Sequence, residues 1–352
     1  MNAIKTRSFA RAGLLGNPSD GYFGKTLSFT FTAFGVDLTM TESSRIRFQQ
    51  GEVDDATFTS LEDLTRSLRL YGYYGGIRLL KAVTKRFFEY CQAHGITLPK
   101  RNFTVEYRIN IPRLVGLSGS SAICSAMLKA LMKFYEVTIP LEYQPTICLE
   151  AEREELRINC GFQDRVIQIY NGLVFMDFDK SFVESHNYGK YERLNDETAK
   201  RLNLYIAYDA ARAEESGEAH KEVKRLFEAK NADVLAAMSE FADIAQQGRD
   251  ALVAGKPEAL PALINANFDL RDRIFHVAEE NRRMVMTARA AGASAKFAGS
   301  GGAIVGTYED DAQFERLKAS LAEIGTVALK PTIATSADET ADFTTSGTWR
   351  NS

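Results

Sequence analysis

A glycine- and serine-rich stretch, residues 111–122, constrains the fold more than any other part of this sequence. Before it, apolar residues occupy every second position from Phe103 to Ile111, which is the period of a strand with one buried face. After it, apolar residues recur at helical spacing from Ile123 to Phe134. The chain is therefore predicted to pass from a strand, through a loop of small residues, into the N-terminus of a helix.

A loop in this position is suited to binding a phosphate. Its glycines let the backbone approach a ligand closely, and the first NH groups of a helix carry a partial positive charge. Ser120 and Ser121 add hydroxyls that could bind phosphate oxygens or a magnesium ion. Taken alone, the loop could also be a structural connection with a serine as helix N-cap. It is not a Walker loop, because no Gly-Lys-Ser/Thr follows.

The composition is that of an ordinary globular protein and argues against several classes of function. The 352 residues suffice for two domains, and 45% of them are apolar. A net charge of -3 gives no basic surface, so we expect neither nucleic acid nor a membrane as a partner. No stretch approaches the ~20 apolar residues of a spanning helix, and residues 1–16 lack a signal-type apolar run. The four cysteines show no metal-ligand spacing, so we expect a cytoplasmic protein with reduced thiols; its oligomeric state stays open.

Hydrophobic patterning predicts two domains that mix helices and strands. The first, residues 1–185, should end with a strand at 172–178, followed by a polar boundary at 180–200. The second should occupy residues 200–331, and the Thr/Ser/Asp-rich tail at 332–352 should fray. Further strands are expected at 8–15, 27–33, 36–40, 202–208 and 326–329, and helices at 77–94, 144–157, 217–229, 233–253, 257–277 and 311–324.

Three further stretches combine glycine with polar residues between predicted elements. The loop at 16–24 would lie at the rim of the first sheet, and Asp20 within it could be a simple turn residue. Residues 71–76 place three tyrosines and three glycines before a helix, either as an aromatic cluster or as a ligand wall with Arg78 facing the site. Residues 299–302, Gly-Ser-Gly-Gly, lie between two short strands and alone would be a hairpin turn.

Together these stretches resemble the motifs of the GHMP kinases, the family of galacto-, homoserine, mevalonate and phosphomevalonate kinases. Residues 112–122 match P-x-x-x-G-L-x-S-S-A with one extra residue, and residues 294–306 match K-x-T/S-G-A/S-G-G-G. Residues 11–24 match R-x-x-L-x-G-E-H-x-D-Y-x-x-G, except that Asn17-Pro18 replaces Glu-His. The resemblance implies a two-domain α+β fold, with a ribosomal-protein-like nucleotide-binding domain before a ferredoxin-like α/β sandwich domain.

The resemblance also implies ATP and Mg²⁺ as cofactors and assigns roles to residues. Residues 152–165 resemble the family's E…C-G-x-x-D-Q pattern, so Asp164 matches the catalytic aspartate and Glu152 a magnesium ligand, with Ser121 as the second. Arg113 or Arg165 could stabilise the transferring charge, or either could be a surface residue. The resemblance places Pro112, Gly116, Leu117, Ser118, Gly119, Ser120, Ser121 and Ala122 at the nucleotide. It places Arg11, Asn17, Asp20, Tyr22, Arg78, Gly299, Ser300, Gly301 and Gly302 at the acceptor.

A narrower resemblance, to the glucuronokinase group of this family, rests on four strings at residues 10–26, 72–80, 111–122 and 161–166. Asn17-Pro18 is part of that narrower pattern. It implies ATP-dependent phosphorylation of the anomeric hydroxyl of D-glucuronate to the 1-phosphate. A sugar acid needs a cationic partner, and the candidates are Arg11, Arg78, Arg271 and Arg273. Galacturonate, a neutral hexose or a heptose remain alternative acceptors, and a non-catalytic sugar and nucleotide sensor remains an alternative function.

Overall fold

The computed structural model describes residues 3–49, 75–209, 217–335 and 337–338, which form two sheets with helices packed on them. This is the α+β class that the sequence predicts. The strands of the first unit are β1 (Ile4–Leu15), β2 (Lys25–Ser43), β3 (Arg47–Phe48), β4 (Asn102–Ile109), β5 (Leu173–Asp177) and β6 (Lys190–Arg193). Its helices are α1 (Gly76–Ala93), α2 (Gly119–Tyr135), α3 (Gln144–Glu150), α4 (Gln163–Tyr170) and α5 (Lys180–His186), with a 3₁₀ turn at Ser19–Tyr22 and a π-helical turn at Ala151–Glu155.

The long strand β2 organises the first sheet, whose order is β3-β4-β2-β5-β6, with β1 paired antiparallel to β2. The first part of β2 pairs with β5, its last part pairs with β4, and both pairings are antiparallel. Along its first part, apolar Leu27 and Phe29 alternate with Ser28 and Thr30, and all four are buried. Both faces of the sheet are therefore covered at this point.

Helix α2 is the central helix of the first unit, and most of its residues are buried. It packs against α1, β1 and β2, and Phe87, Phe103 and Phe134 fill the core beside it. The strand β4, the loop after it and α2 are the strand, loop and helix predicted from residues 103–134. Burial of α2 fixes the position of its N-terminus at the end of the sheet.

The second unit is a four-stranded antiparallel sheet in the order β10-β7-β9-β8, the ferredoxin-like arrangement predicted. Its strands are β7 (Leu204–Tyr208), β8 (Lys296–Phe297), β9 (Ala303–Thr307) and β10 (Val327–Leu329). The short helix α6 (Asp196–Lys200) precedes it, and its helices are α7 (Gly217–Glu228), α8 (Ala232–Val253), α9 (Leu260–Ile274), α10 (Glu279–Ala290) and α11 (Asp311–Ala322), with a 3₁₀ turn at Pro257–Ala259.

The two units pack closely, since α8 lies on β1 and β2. A Cβ added at Gly248 of α8 would lie 2.1 Å from Leu15 Cδ1, so a larger residue at this position would force the Leu15 side chain to move. The Gly13 NH of the first motif (residues 11–24) donates to Ala298 O of the third motif (residues 294–306) at 2.7 Å. A Cβ added at Gly116 of the second motif (residues 112–122) would lie 2.6 Å from Gly301 O of the third. The three motifs therefore meet between the units.

Two expectations about the ends of the domains are wrong. The strand at 172–178 is not the last element of the first unit, because β6 adds to its edge, pairing Val174 with Arg193. Edge strands are often short and charged, so β6 shows no hydrophobic alternation in the sequence. The tail does not fray at its start: Ala334 is fully buried and its NH donates to Thr30 O at 2.9 Å.

Three more observations concern the predicted elements. The helix expected at 144–157 ends at Glu150 and continues as a π-helical turn, and helix α10 was not among the predicted helices. The tyrosines of residues 71–74 lie outside the described residues. Within the described ranges, no helix has the length and apolar character to cross a membrane.

Candidate active site

The loop between β4 and α2 adopts left-handed backbone conformations at three positions. These are Leu114 (φ 56°), Gly116 (φ 74°) and Ser118 (φ 64°). Glycine adopts this conformation readily, but leucine and serine are strained in it, and such strain is concentrated at functional sites. A Cβ at Gly116 would lie 2.6 Å from Gly301 O, so the loop is held against the third glycine-rich loop.

The start of α2 is accessible to a ligand. Ser118, Gly119 and Ser120 are partly exposed, and the first NH groups of a helix have no acceptor within it. Ser121 is buried and its hydroxyl makes a long hydrogen bond, 3.4 Å, to Ser118 O. Among the other predicted nucleotide residues, Leu117 and Ala122 are buried, and Pro112 and Gly116 are partly exposed. Their contact with nucleotide stays a prediction.

Asp164, in the first turn of α4, is held by groups from strand β1 and from the loop before α2. Arg11 on β1 forms a two-pronged ion pair with it, with Nε to Oδ1 at 2.7 Å and Nη2 to Oδ2 at 2.9 Å. The Ser118 hydroxyl donates to Oδ2 at 2.6 Å, and Arg165 Nη1 lies 3.9 Å from the same oxygen. Burial opposes the charge of Asp164, but Arg11, Arg165 and the hydrogen bonds outweigh it and lower the pKa to about 2. Asp164 is therefore ionised throughout the physiological range.

Asp20 lies in the 3₁₀ turn after β1, and the pKa of its carboxyl is shifted upward, in the opposite direction to that of Asp164. Its Oδ2 accepts the Gln163 NH at 3.1 Å, and a Cβ at Gly161 would lie 2.0 Å from that oxygen. Burial, together with the charge of Asp164, raises the pKa of Asp20 to about 6. Two carboxyl groups with widely separated pKa values face one space, which is typical of catalytic sites.

Glu152 lies in the π-helical turn and is completely buried. Its Oε2 pairs with Arg165 through both Nε and Nη2, each at 2.5 Å. Its Oε1 has no hydrogen-bond partner in the described part of the chain. Burial and then the charge of Glu152 raise the pKa of the Cys124 thiol, which lies one turn beyond Ser121 on α2. One oxygen of the Glu152 carboxylate is thus not used by the ion pair with Arg165.

A cavity of about 940 Å³ opens over Asp20 and Asp164, large enough for a sugar. Its wall combines the first motif, the turn before α4, the end of α7, one residue of α9 and the third motif. The lining residues are Arg11, Asn17, Pro18, Asp20, Gly21, Tyr22, Arg153, Glu154, Arg157, Ile158, Asn159, Cys160, Gly161, Gln163, Asp164, Lys224, Arg225, Glu228, Arg271, Gly299 and Ser300.

The cavity brings together most of the residues predicted to hold an acceptor, and leaves two predicted arginines apart. Arg78 on α1 and Arg113 are exposed and do not line the cavity. The catalytic role predicted for Arg113 has no support from this geometry, because Arg11 and Arg165 are the arginines beside Asp164. Gly301 and Gly302 pack on the loop of the second motif instead of lining the cavity.

Residues of the second unit hold the first motif in place, a role that the sequence alone does not assign to them. The Asn267 side chain accepts the Gly16 NH at 2.6 Å and donates to Asn17 O at 3.2 Å. The buried Lys296 ammonium donates to Gly13 O at 2.6 Å and to the Asn17 side chain. The available signal was the density of polar residues at 265–273, and the lysine that begins the third motif.

Comparison with known proteins agrees with this geometry. Residues 78–172 match the family model described as GHMP kinases N terminal domain. The chain is 44% identical to "Probable glucuronokinase 2" of Arabidopsis thaliana over 85% of its length and 82% of that protein, and 42% identical to "Glucuronokinase 1" of the same plant over 86% and 84%. A crystal structure of Lactococcus lactis galactokinase complexed with galactose has a TM-score of 0.74 at 15% identity, covering 94% of each chain. The fold, the convergent motifs and these identities show that the chain belongs to the GHMP kinase family.

Proposed function

We propose that this protein is an ATP-dependent kinase that phosphorylates the anomeric hydroxyl of D-glucuronate to give glucuronate 1-phosphate. The observation that carries the proposal is the Arg11–Asp164–Ser118 cluster at the cavity floor, which joins three motif loops around one ionised carboxylate. The identity of more than 40% to two glucuronokinases over most of both chains supports glucuronate as the acceptor.

In this proposal the loop at 112–118 and the start of α2 bind the phosphates of ATP. The NH groups at the N-terminus of α2 favour negative charge, and the exposed Ser120 hydroxyl adds a donor. The strained conformation of Ser118 turns its side chain to Asp164, while its carbonyl accepts from Gln168 at 2.9 Å. The same residue therefore connects the nucleotide loop to the proposed acceptor carboxylate.

Asp164 is proposed to accept the hydrogen of the anomeric hydroxyl and so to orient its oxygen. As that oxygen bonds to the γ-phosphorus of ATP, ADP leaves and the hydroxyl proton passes to Asp164. A carboxylate with a pKa of about 2 is a weak base, so the proton moves only after the new P–O bond has largely formed. Positioning and charge stabilisation then supply most of the rate, as is usual in phosphoryl transfer.

The residues present fit a magnesium ion. Glu152 offers a buried carboxylate oxygen with no hydrogen bond in the described residues, and Ser121 offers a hydroxyl in a long hydrogen bond. We propose that these two side chains hold the ion, which would neutralise charge on the phosphates. Arg165 holds the other oxygen of Glu152 and contacts Gly161 O at 2.9 Å, so it orients the carboxylate. We further propose a cytoplasmic location, where the four free cysteines would remain reduced.

A sugar screen tests the proposal directly. The purified protein is supplied with MgATP and, separately, D-glucuronate, D-galacturonate, D-glucose, D-galactose and a heptose, and ADP release is measured with the sugar phosphate identified by NMR. We expect glucuronate 1-phosphate as the favoured product. A higher kcat/KM for a neutral sugar would reject the assigned acceptor, and no turnover with any sugar would favour the sensor.

A further inference from the structure

We infer that Arg271 is the residue that recognises the carboxylate of the acceptor and so determines its specificity. This inference rests on the proposed function. Of the four arginines considered from the sequence, Arg78 is exposed and outside the cavity wall, and Arg273 is 62% exposed and paired with Glu240 at 2.9 Å. Arg11 and Arg271 remain.

Arg11 is already committed to other groups. Its Nε and Nη2 bind both oxygens of Asp164, and its Nη1 donates to Gly116 O at 2.6 Å and to Ala298 O at 3.2 Å. A substrate carboxylate could displace these bonds only by releasing Asp164. Arg11 is therefore a positioning residue for Asp164.

Arg271 is a buried cation on the wall of the cavity. It is 4% exposed, and its Nη1 and Nη2 donate to Gly299 O at 3.0 Å and Ser300 O at 2.8 Å. Its guanidinium carbon lies 5.2 and 5.0 Å from the ring centres of Phe275 and Phe297, which fix the plane of the group. Burial lowers the pKa of Arg271 to about 10, so the cation persists at neutral pH.

The surroundings of Arg271 favour an anion. Lys296 lies in the same region, since its ammonium donates to Phe297 O at 2.8 Å and the Phe297 ring packs on Arg271. Arg11 and Arg271 also approach the same residue, since Arg271 binds Gly299 O and a Cβ at Gly299 would lie 2.9 Å from Arg11 Nη1. A sugar acid with its anomeric hydroxyl at Asp164 would thus have a second cation nearby for its carboxylate.

The other cations of the cavity are less suited to this role. Arg157 is 82% exposed at the mouth, and Lys224 and Arg225 are also exposed, so solvent screens their charges. Arg153 is only partly buried, whereas Arg271 is 4% exposed, so solvent screens the charge of Arg153 more strongly. A planar, buried guanidinium is the geometry that discriminates a carboxylate from a hydroxymethyl group.

The test compares D-glucuronate with D-glucose, which replaces the carboxylate by a hydroxymethyl group. In Arg271→Gln, kcat/KM for glucuronate should fall about 30- to 1,000-fold, mainly through KM, because a buried charge pair is lost. The value for glucose should fall by a much smaller factor, because glucose has no carboxylate to lose its partner, so the preference between the two sugars should collapse. Arg273→Gln, two residues along the same helix, is the matched control and should keep the wild-type preference.

A second variant and a binding measurement distinguish loss of carboxylate recognition from misfolding of the Arg271→Gln protein. Arg271→Lys keeps the charge without the planar guanidinium, so glucuronate should bind more weakly by calorimetry, and KM should rise by a larger factor than kcat falls. If both Arg271 variants keep the wild-type preference and affinity, or if Arg153→Gln abolishes the preference instead, the inference is wrong while the proposed function stands. If the wild type itself does not prefer glucuronate, both are overturned.

Discussion

Asp20→Asn should stabilise the protein at neutral pH while impairing sugar binding. Asp20 is 3% exposed, and burial with the charge of Asp164 raises its pKa from 3.8 to about 6. Because the pKa of Asp20 is higher in the folded state than in the unfolded state, its contribution to stability is fully present below pH 3.8. That stability is lost as the pH rises through 6. At pH 7.5 the charged carboxylate therefore destabilises the fold by roughly 3 kcal/mol.

Asparagine keeps the shape and can still accept the Gln163 NH, but it carries no charge. Because the unfolding entropy scales with chain length, a gain of about 3 kcal/mol in the free energy of unfolding should raise the Tm of this chain by roughly 4 °C. Thermal unfolding of the wild type and the variant is measured without ligands at pH 4, 5, 6, 7 and 8. The difference in Tm should be near zero at pH 4 and should grow through pH 6 to a plateau.

Asp243→Asn provides a matched control, since Asp243 is exposed on α8 and the change removes the same charge. It should shift Tm little and without this pH dependence. An Asp20→Asn protein that melts below the wild type at pH 8, or differs from it by the same amount at every pH, would refute the electrostatic reasoning. Loss of sugar affinity in a more stable variant would mark Asp20 as a site residue kept at the expense of stability.

Three other outcomes follow from the site. Asp164→Asn should lower kcat by about 10²–10⁴-fold with glucuronate binding largely kept, and a folded variant with wild-type kcat would place the base elsewhere. If sugar binding needs the ionised form of Asp20, a plot of kcat/KM against pH should fall on the acid side near pH 6; a plot that stays flat to pH 4.5 would contradict this. Ser121→Ala and Glu152→Gln should each raise the Mg²⁺ concentration needed for turnover and weaken MgATP binding by fluorescence titration, and unchanged Mg²⁺ dependence in both would reject the assigned ligands.

Local patterns in the sequence predict the elements of this fold well but not its long-range contacts. The alternation before residue 111 and the helical period after residue 122 give β4 and α2 correctly, because each pattern reflects burial of one face. The pairing of Arg11 with Asp164 joins residues 153 positions apart, and no local pattern reports it. The sequence offers both Arg113 and Arg165 for stabilising the transferred charge and cannot choose between them, whereas in the fold Arg113 is exposed and Arg165 lies beside Asp164.

The π-helical turn at Ala151–Glu155 shows a second limit of sequence reasoning. The charged run at 150–155 continues the helical pattern, so nothing in it indicates a change in hydrogen bonding. Such turns are frequent at functional sites, and this one contains the buried Glu152. Its ion pair with Arg165 explains how a carboxylate can be buried in the middle of a charged segment.

The return of the chain to the first unit at its C-terminal end limits how the two halves of the protein can move. The polypeptide leaves the first sheet after β6 and comes back at residues 332–334, where Thr32 donates to Thr332 O at 3.0 Å and Ala334 donates to Thr30 O. The second unit is thus tethered at both of its ends. A body joined to its neighbour by two segments of chain has less freedom to separate from it than a body joined by one, so the two chain crossings hold the cavity between the units together.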